Sequence, residues 1–319
     1  MAPLSSPPPV QPATRLDVSE LEMLETRRIL ALASYRRRMM LSVPALVLVA
    51  FVCAYFFTNP GEAFWRSPHF YILTIFAVGG LYHWVSDVRK EYAADFKDIV
   101  LPHVAAAFGL RYKMIGGVPL SKVMDAAIIP PHTRIRTEDL FFGNYKGAEI
   151  YVSELDLWDK RQGLSKEEQE REVFSGLAMV IALPRVAFEH QTVVLSQRMV
   201  LSSWLQGQLR GLEHVDLVDP YFEKKYRAYG KNQVETRFLL HPAMVERIER
   251  LNHAMVSGNI SVAFLNGAVL VLIQIRQNLF EPPSLSIPAT DVDSIRMLEH
   301  ELQQALGLVD AFEFYRPQG

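Results

Sequence analysis

The architecture of this chain is decided by two apolar runs, MMLSVPALVLVAFVCAYFFT at residues 39–58 and FYILTIFAVGGLYHWV at residues 70–85. Eleven residues separate the two runs. A helix crosses the hydrocarbon core of a bilayer with about 20 mostly apolar residues. The first run has that length, and the second reaches it with its flanking residues. The sequence therefore predicts two transmembrane helices, at 39–58 and 70–88, joined by a short external loop at 59–69.

The residues before the first span divide into two segments. Residues 1–16 contain five prolines and two serines, cannot bury a core, and are expected to be a disordered tail. Residues 17–38 place apolar side chains at helical spacing, with acids early and arginines late, which the helix dipole favours. This segment is predicted to be an amphipathic juxtamembrane helix. Because a signal peptide has only a short basic leader, we expect no cleavage here.

Most basic residues near the two spans lie on one side of them. Five arginines lie within 27–38, and Arg89, Lys90 and Lys97 follow the second span, whereas the loop carries only Arg66. The positive-inside rule therefore predicts that both termini are cytoplasmic. Neither apolar run contains Asp, Glu, Lys or Arg, so an ion pathway lacks its usual marker.

Residues 89–319 are predicted to form a cytosolic α+β domain. A helical stripe continues from the second span to a glycine stop at Gly109, with Pro102 expected to kink or divide it. Alternating apolar residues then predict strands at 149–155, after a turn at 144–147, and at 174–183 and 192–195. Two further alternating strands are expected within 225–240, joined as a hairpin around 230–232.

The last third of the chain gives the clearest local signals. Asn266-Gly267 lies between two apolar runs, 260–264 and 268–273, which is a strong hairpin pattern. Helices are predicted at 242–254 and from Thr290 to a stop at Gly307. Strands joined by hairpins, with helices at the ends of the domain, indicate an antiparallel α+β fold.

Composition excludes several function classes. The formal net charge of -2 and the pI near 6.5 provide no global basic field, so nucleic-acid binding is disfavoured. The single cysteine, Cys53, lies in the first apolar run and can form no internal disulfide. No two histidines lie within four residues of each other, and no phosphate loop, dinucleotide fingerprint or hydrolase motif occurs. We therefore predict no catalytic, cofactor-binding or metal site.

Two charged clusters have more than one interpretation. The acidic run at 166–172 could supply paired carboxylates, but it is interpreted as a solvated loop or a helix start. Lys224, Lys225, Arg227 and Lys231 alternate with Tyr226 and Tyr229. They are candidate contacts for anionic lipid or for an acidic partner, or else the wet face of a half-buried strand whose aromatic residues point inward. Residues 281–284, Glu-Pro-Pro-Ser, are interpreted as a rigid linker.

One stretch carries a family resemblance, VDPYFEKKYRAYGKNQVETRFLLHPAMVERI at 218–248. Its Asp-Pro start, aromatic strand, Val-Glu-x-Arg strand and proline-capped helix resemble the bacterial two-span membrane proteins catalogued as domain of unknown function three-one-three-seven. Residues 143–147, 173–176 and 279–285 are similar as well, and the resemblance extends over about residues 85–305. His241 departs from the pattern, where Ser or Thr is expected. The resemblance implies a location in the bacterial inner membrane but no established reaction.

These observations favour a membrane-anchored cytosolic domain that acts by interaction or as a scaffold. The bilayer is the expected partner, and a protein partner and the oligomeric state are left open. The alternative is a membrane-tethered enzyme with dispersed active-site residues, which a deep pocket with convergent polar groups would reveal. Transport is disfavoured because the chain has only two predicted spans and no intramembrane charge.

Overall fold

The computed structural model describes residues 17–58, 68–162, 168–182, 189–197, 203–217, 219–255, 259–265, 267–275, 277–307 and 309. These residues divide into two compact units. The helical unit comprises residues up to Leu101 together with residues 281–295, and the sheet unit comprises residues 102–280 and the residues from Arg296 onward. The two units are described separately.

Two long helices build the helical unit. Helix α1 (Val18–Thr58) continues without a break from the predicted juxtamembrane segment through the first predicted span. Helix α2 (Pro68–Ala107) contains the second predicted span and extends past Leu101. Pro102 does not divide α2, because a single proline removes only one backbone donor from a ladder that is intact on both sides. The predicted glycine stop is confirmed, since Gly109 has a φ of 71° just after the helix.

Helices α1 and α2 contact each other at three levels. Arg27 Nη1 lies 3.0 Å from Asp95 Oδ2. The Arg38 guanidinium stacks 5.3 Å from the centre of the Trp84 ring and donates a hydrogen bond to the Trp84 carbonyl oxygen. Cys53 Sγ lies 4.0 Å from Thr74 Oγ1. Residues 27, 38 and 53 of α1 contact residues 95, 84 and 74 of α2, respectively. Residue numbers rise along one helix as they fall along the other, so the two helices are antiparallel.

Residues 281–289, here called the proline strap, belong to the helical unit rather than forming a free linker. Glu25 Oε2 on α1 accepts a hydrogen bond of 2.7 Å from the backbone N–H of Ala289. Arg28 donates to the carbonyl oxygen of Leu285 and to both oxygens of Glu25, at 2.6 and 2.9 Å. The hydrogen bonds from Arg28 and from the Ala289 backbone lower the pKa of the Glu25 carboxyl.

The described strands of the sheet unit form a nine-stranded antiparallel sheet in the order β1-β2-β3-β4-β9-β8-β5-β7-β6. The strands are β1 (Leu110–Lys113), β2 (Arg134–Tyr145), β3 (Ala148–Gln162), β4 (Glu168–Ala182), β5 (Thr192–Ser196), β6 (Glu213–Val215), β7 (Tyr226–Gly230), β8 (Ile260–Leu265) and β9 (Ala268–Gln274). The remaining helices are α3 (Ser203–Gln208), α4 (Pro220–Lys225), α5 (Gln233–Leu239), α6 (Pro242–Ala254) and α7 (Val292–Leu306). The predicted antiparallel α+β class is confirmed.

The core of the sheet unit lies at the centre of the sheet. All six residues of β8 and the first six of β9 are buried, so both sheet faces are covered there. One face packs against two short 3₁₀ turns and α3 in a cluster that includes Val123, Ile128 and Leu205. Helix α6 buries one face through the predicted residues Met244, Ile248 and Leu251.

The local turn signals agree with the structure. The hairpin predicted at 266–267 connects β8 to β9 in register, with Leu265 opposite Ala268. The turn predicted at 144–147 connects β2 to β3, and Asn144 Oδ1 accepts from the N–H of Gly147 at 3.0 Å. The last helix starts two residues later than expected, because Asp291 caps it through Ser294 N at 3.0 Å.

Two segments differ from the prediction. Residues 168–172 are neither loop nor helix but the first part of β4, which pairs with β3 from Glu172 opposite Trp158 to Glu168 opposite Gln162. Residues 225–240 hold one strand, β7, and helix α5 rather than two strands. Asn232 accepts hydrogen bonds from Val234 N at 2.9 Å and from Glu235 N at 3.2 Å, which starts a helix where a hairpin turn was expected.

Candidate functional site

The first candidate surface is the apolar side of the two long helices. Of the described residues, only α1 contains a helical stretch long and apolar enough to cross a membrane, within Val18–Tyr55, and little of that stretch is buried inside the protein. The exposed apolar side chains of residues 39–55 are Met39, Met40, Leu41, Val43, Leu46, Val47, Leu48, Phe51 and Tyr55. Soluble monomeric proteins rarely expose large contiguous apolar faces, which mark membrane or protein contact sites.

Helix α2 exposes a similar but less apolar face. Its exposed side chains are Tyr71, Ile72, Ile75, Phe76, Val78, Tyr82 and Trp84. The described part of α2 does not qualify as a second membrane-spanning helix, so the second predicted span is not confirmed. Gly79, Gly80 and His83 make this stretch less hydrophobic than residues 39–58.

The contact between Arg38 and Trp84 lies where the apolar stretches of both helices end. Arg38 follows Arg36 and Arg37 on α1, both exposed, and Trp84 is followed by Arg89 and Lys90 on α2. Arginine and tryptophan prefer the membrane–water interface, because each has an apolar body and a polar end. The contact therefore places the basic ends of both apolar stretches at the same level.

The four basic residues predicted as lipid or partner contacts do not form one continuous face. Lys224 is exposed on α4, with Nζ 5.3 Å from the centre of the Tyr221 ring. Lys225 Nζ pairs with Glu249 Oε2 of α6 at 2.7 Å. Arg227 is partly buried on β7, and Lys231 is exposed just after that strand.

The two tyrosines between these basic residues lie on opposite faces of β7. Tyr226 is buried together with Ala228 and Gly230, whereas Tyr229 is only partly buried and shares the other face with Arg227. Their spacing of three residues requires this, since side chains alternate along a strand. Tyr229 packs against the hydrophobic core on its face of the sheet, so both aromatic side chains contact the interior, but from opposite faces.

The second candidate is a polar cleft where β3 and β4 meet the segment after β9. It is lined by Glu154, Asp156, Ser175, Gly176, Gln277 and Asn278, together with Ile275 and Leu279. Its volume is about 230 Å³ including the open mouth, so only part of this space is enclosed. The backbone N–H of Leu279 donates a hydrogen bond of 2.5 Å to Glu154 Oε1.

The carboxylates at this cleft lie near an arginine. Arg136 donates to Glu138 Oε1 at 2.6 and 2.9 Å, and this interaction, with smaller contributions from the charges of Asp156 and Glu154, raises the pKa of Arg136. Within the described ranges, no group of three His, Cys, Asp or Glu side chains is arranged to hold a metal ion. The cleft therefore has polar groups but little enclosed volume.

A buried carboxylate elsewhere in the sheet unit belongs to the framework. Asp139 is fully buried with a φ of 54°, at the irregularity between Glu138 and Phe141 where β2 shifts its register with β3. Its Oδ1 accepts a hydrogen bond of 2.5 Å from the Tyr112 hydroxyl, and its N–H donates to the carbonyl of Met114. These hydrogen bonds satisfy the polar groups of a β-bulge that stabilises this part of the sheet. We therefore assign Asp139 a structural role.

Comparisons with known proteins agree with part of the resemblance. The chain is 22% identical over 229 residues to the UPF0182 protein of Nostoc sp. (strain PCC 7120 / SAG 25.82 / UTEX 2576); this covers 68% of the chain but only 22% of the length of that relative. Among solved structures, the mycobacterial trehalose monomycolate transport factor A is 11% identical with a TM-score of 0.38, covering 70% of this chain and 96% of that one. The family model "Protein of unknown function (DUF3137)" matches residues 172–314, which contain the stretch at 218–248 that carries the resemblance.

Proposed function

We propose that this protein is a membrane-anchored interaction or scaffold domain, in which α1 and α2 form a transmembrane hairpin and the sheet unit is cytoplasmic. The observation that carries the proposal is the exposed apolar face of α1 over residues 39–55. Exposing this face to water is costly, at about 25 cal/mol for each Å² of apolar surface, and insertion into a bilayer removes that cost.

The contacts between the helices support the hairpin. Antiparallel order and a connection of nine residues between Thr58 and Pro68 fit two adjacent spans with both ends on one side. The clusters of arginine and lysine at that side support a cytoplasmic location for both termini. A bacterial inner membrane is part of the proposal because the family resembled is bacterial.

The interaction role rests on the sheet unit. Among the described residues, the polar cleft favours the alternative, a membrane-tethered enzyme, because Glu154 and Asp156 lie side by side on β3 within it. Both residues share the environment of Arg136, whereas acid–base catalysis needs two carboxyls in contrasting environments. We therefore favour binding over catalysis.

Thiol labelling in intact cells tests the topology. Cys53 is replaced by Ser, and single cysteines are introduced as Glu62→Cys in the predicted external loop and Glu172→Cys on β4. A membrane-impermeant maleimide is expected to label E62C in spheroplasts and to label E172C only after the membrane is permeabilised. Labelling of E172C in intact spheroplasts would refute the orientation, and release of the intact chain by alkaline carbonate would refute the anchor.

A further inference from the structure

We propose that α4 and α5 carry a second membrane contact, a surface that binds anionic lipid headgroups once the chain is anchored. This inference rests on the proposed anchoring. The surface, here called the α4–α5 surface, consists of Tyr221, Lys224, Val234, Arg237 and Phe238. Tyr221, Val234 and Phe238 are 78%, 77% and 65% exposed, which is unusual for large apolar side chains in a folded unit.

The fold brings the two short helices together at one end of the sheet. Helix α5 packs on β6 and β7, and α4 packs on β7, so both lie at the edge that ends with β6. Both helices also bind the segment Asp216-Leu217, which follows β6. Arg237 Nε of α5 donates to the carbonyl of Asp216 at 3.2 Å, and Glu223 of α4 accepts from the N–H of Leu217 at 2.6 Å.

The exposed residues have the chemistry of an interfacial anchor. Val234 and Phe238 are four residues apart and therefore share one face of α5, with Arg237 beside them. On α4, the Lys224 ammonium lies over the Tyr221 ring at 5.3 Å. Aromatic and aliphatic groups that enter the headgroup region, with lysine and arginine beside them, are the pattern of proteins that bind anionic membranes.

The nearby carboxylates are mostly engaged inside the protein. Asp219 caps α4 by accepting from Tyr221 N at 2.8 Å, and Glu223 is bound to the backbone of Leu217. Glu235 pairs with His190 Nδ1 at 2.7 Å. Asp216 and Asp219 are both exposed, and His214 Nδ1 lies 3.3 Å from Asp216 Oδ1. On the two helices themselves, Lys224 and Arg237 are exposed, whereas the carboxylates of Glu223 and Glu235 are only partly exposed and hydrogen-bonded.

A lipid surface fits this patch better than a protein partner does. Three exposed apolar side chains are too few for a stable protein interface, which buries about 800 Å² on each partner. A protein that is already tethered needs much less contact, because the tether supplies a high effective concentration of the membrane. A small basic and aromatic patch is sufficient under that condition.

The test uses the full chain in proteoliposomes, with Cys53 replaced by Ser. An environment-sensitive fluorophore is placed at Gln233→Cys, which is exposed on α5 but is not part of the surface. Glu172→Cys is the control position away from α4 and α5, and Leu48→Cys reports on the anchor. Quenching by spin-labelled lipid is compared in vesicles of phosphatidylcholine alone and with phosphatidylglycerol added.

Quenching at Q233C is expected to rise at least twofold when phosphatidylglycerol is added, while E172C stays at background. The substitutions Lys224→Glu and Arg237→Glu together, or Val234→Ser and Phe238→Ser together, should return Q233C to background, with near-ultraviolet circular dichroism confirming that each variant is folded. Background quenching at Q233C with strong quenching at L48C would overturn the lipid contact and leave the anchor intact. Absence of quenching at L48C would refute the anchor itself. Shielding of Q233C from a water-soluble quencher without quenching by lipid would assign the surface to a second copy of the chain and also overturn the proposal.

Discussion

Gly176 lies on β4 where this strand pairs with the end of β9. A Cβ atom at this position would lie 2.1 Å from the carbonyl oxygen of Ile273 and 2.7 Å from the N–H nitrogen of Ile275, and its φ is 154°. Since both obstructing atoms belong to the backbone, they cannot move aside as a side chain would. We expect Gly176→Ala to destabilise the sheet unit by about 3 kcal/mol, measured by denaturant unfolding of the purified chain in detergent.

Gly207 provides the matched control. It is exposed on α3, and a Cβ atom there would meet nothing within 4 Å. Gly207→Ala should leave stability unchanged or raise it by up to about 1 kcal/mol, because alanine is the better helix former. Equal effects of the two substitutions would show that the close approach at Gly176 is not rigid.

The buried hydroxyl of Tyr92 on α2 contributes to a loss of stability at alkaline pH. Its side chain is buried, and burial raises its pKa from 10.0 to about 12. Between these values the unfolded chain loses the phenolic proton while the folded chain keeps it, so stability falls as pH rises from about 10 to about 12. We expect Tyr92→Phe to reduce this loss, measured as the difference in melting temperature between wild type and variant across that pH range.

At neutral pH the same substitution should have little effect. In the part of the chain that the structure describes, the Tyr92 hydroxyl has no hydrogen-bond partner, so its removal costs little. Tyr112→Phe is the contrasting control, because it removes the hydrogen bond to buried Asp139 and should cost about 1–3 kcal/mol at neutral pH. A large loss of stability in Tyr92→Phe at neutral pH would contradict the assignment.

The sequence identifies Lys224 of the α4–α5 surface, but neither Arg237 nor the apolar residues of that surface. Residues 225–240 alternate in hydrophobicity well enough to resemble two strands. A strand would place Val234, Thr236 and Phe238 on one face and Arg237 on the other. In the helix Thr236 is buried, whereas Val234, Arg237 and Phe238 are all exposed. Asn232 distinguishes the helix from the hairpin, because its side chain caps the helix. The same residue belongs to the run Gly-Lys-Asn at 230–232, which is also typical of a hairpin turn.

At the scale of elements, the pair of Glu25 and Arg28 fastens the proline strap to α1. Arg28 is buried, and Glu25 accepts the Ala289 N–H, so removing either leaves polar groups without partners. We expect Glu25→Ala to cost about 3 kcal/mol and to speed hydrogen exchange at the Ala289 amide. The measurement is hydrogen exchange of the full chain in detergent, read at peptides that cover residues 281–291.

The control for this prediction lies one residue away from Arg28. Arg27 pairs with Asp95 at 3.0 Å, but both side chains are about half exposed. Arg27→Ala should therefore cost under about 1 kcal/mol and leave exchange of the strap unchanged. If Arg27→Ala and Glu25→Ala affected the strap equally, the contact with Ala289 would not be what holds it.

Elements with strong local signals were predictable, and elements fixed by distant pairing were not. The hairpin of β8 and β9 and the helix α6 follow from a turn dipeptide and from a proline at a helix start. Residues 168–172 are charged and have no strand pattern, yet they form a strand because they pair with the end of β3. Short β1 and β6, at the two sheet edges, likewise gave no separate signal.

At the scale of the whole molecule, the sequence places a membrane anchor first and a separate domain after residue 88. The contacts divide the chain differently, at residues 101 and 102, and they join residues 281–295 to the helices. Periodicity could not show this, because a proline-rich extended segment has the same composition whether it is a free linker or is bound to a helix. The decisive contacts join residues more than 250 positions apart, as Arg28 and Leu285 do.

The position of the proline strap has a consequence for biosynthesis. The end of α2 leaves the ribosome about 170 residues before the strap does, and at elongation rates of about 5–20 residues per second this interval is roughly 9 to 35 s. During that time Arg28 and Glu25 have no strap to bind and remain accessible. The helical unit is thus completed only by a segment that is synthesised later, so a nascent chain that stalls before residue 281 presents an incomplete helical unit to quality-control proteases.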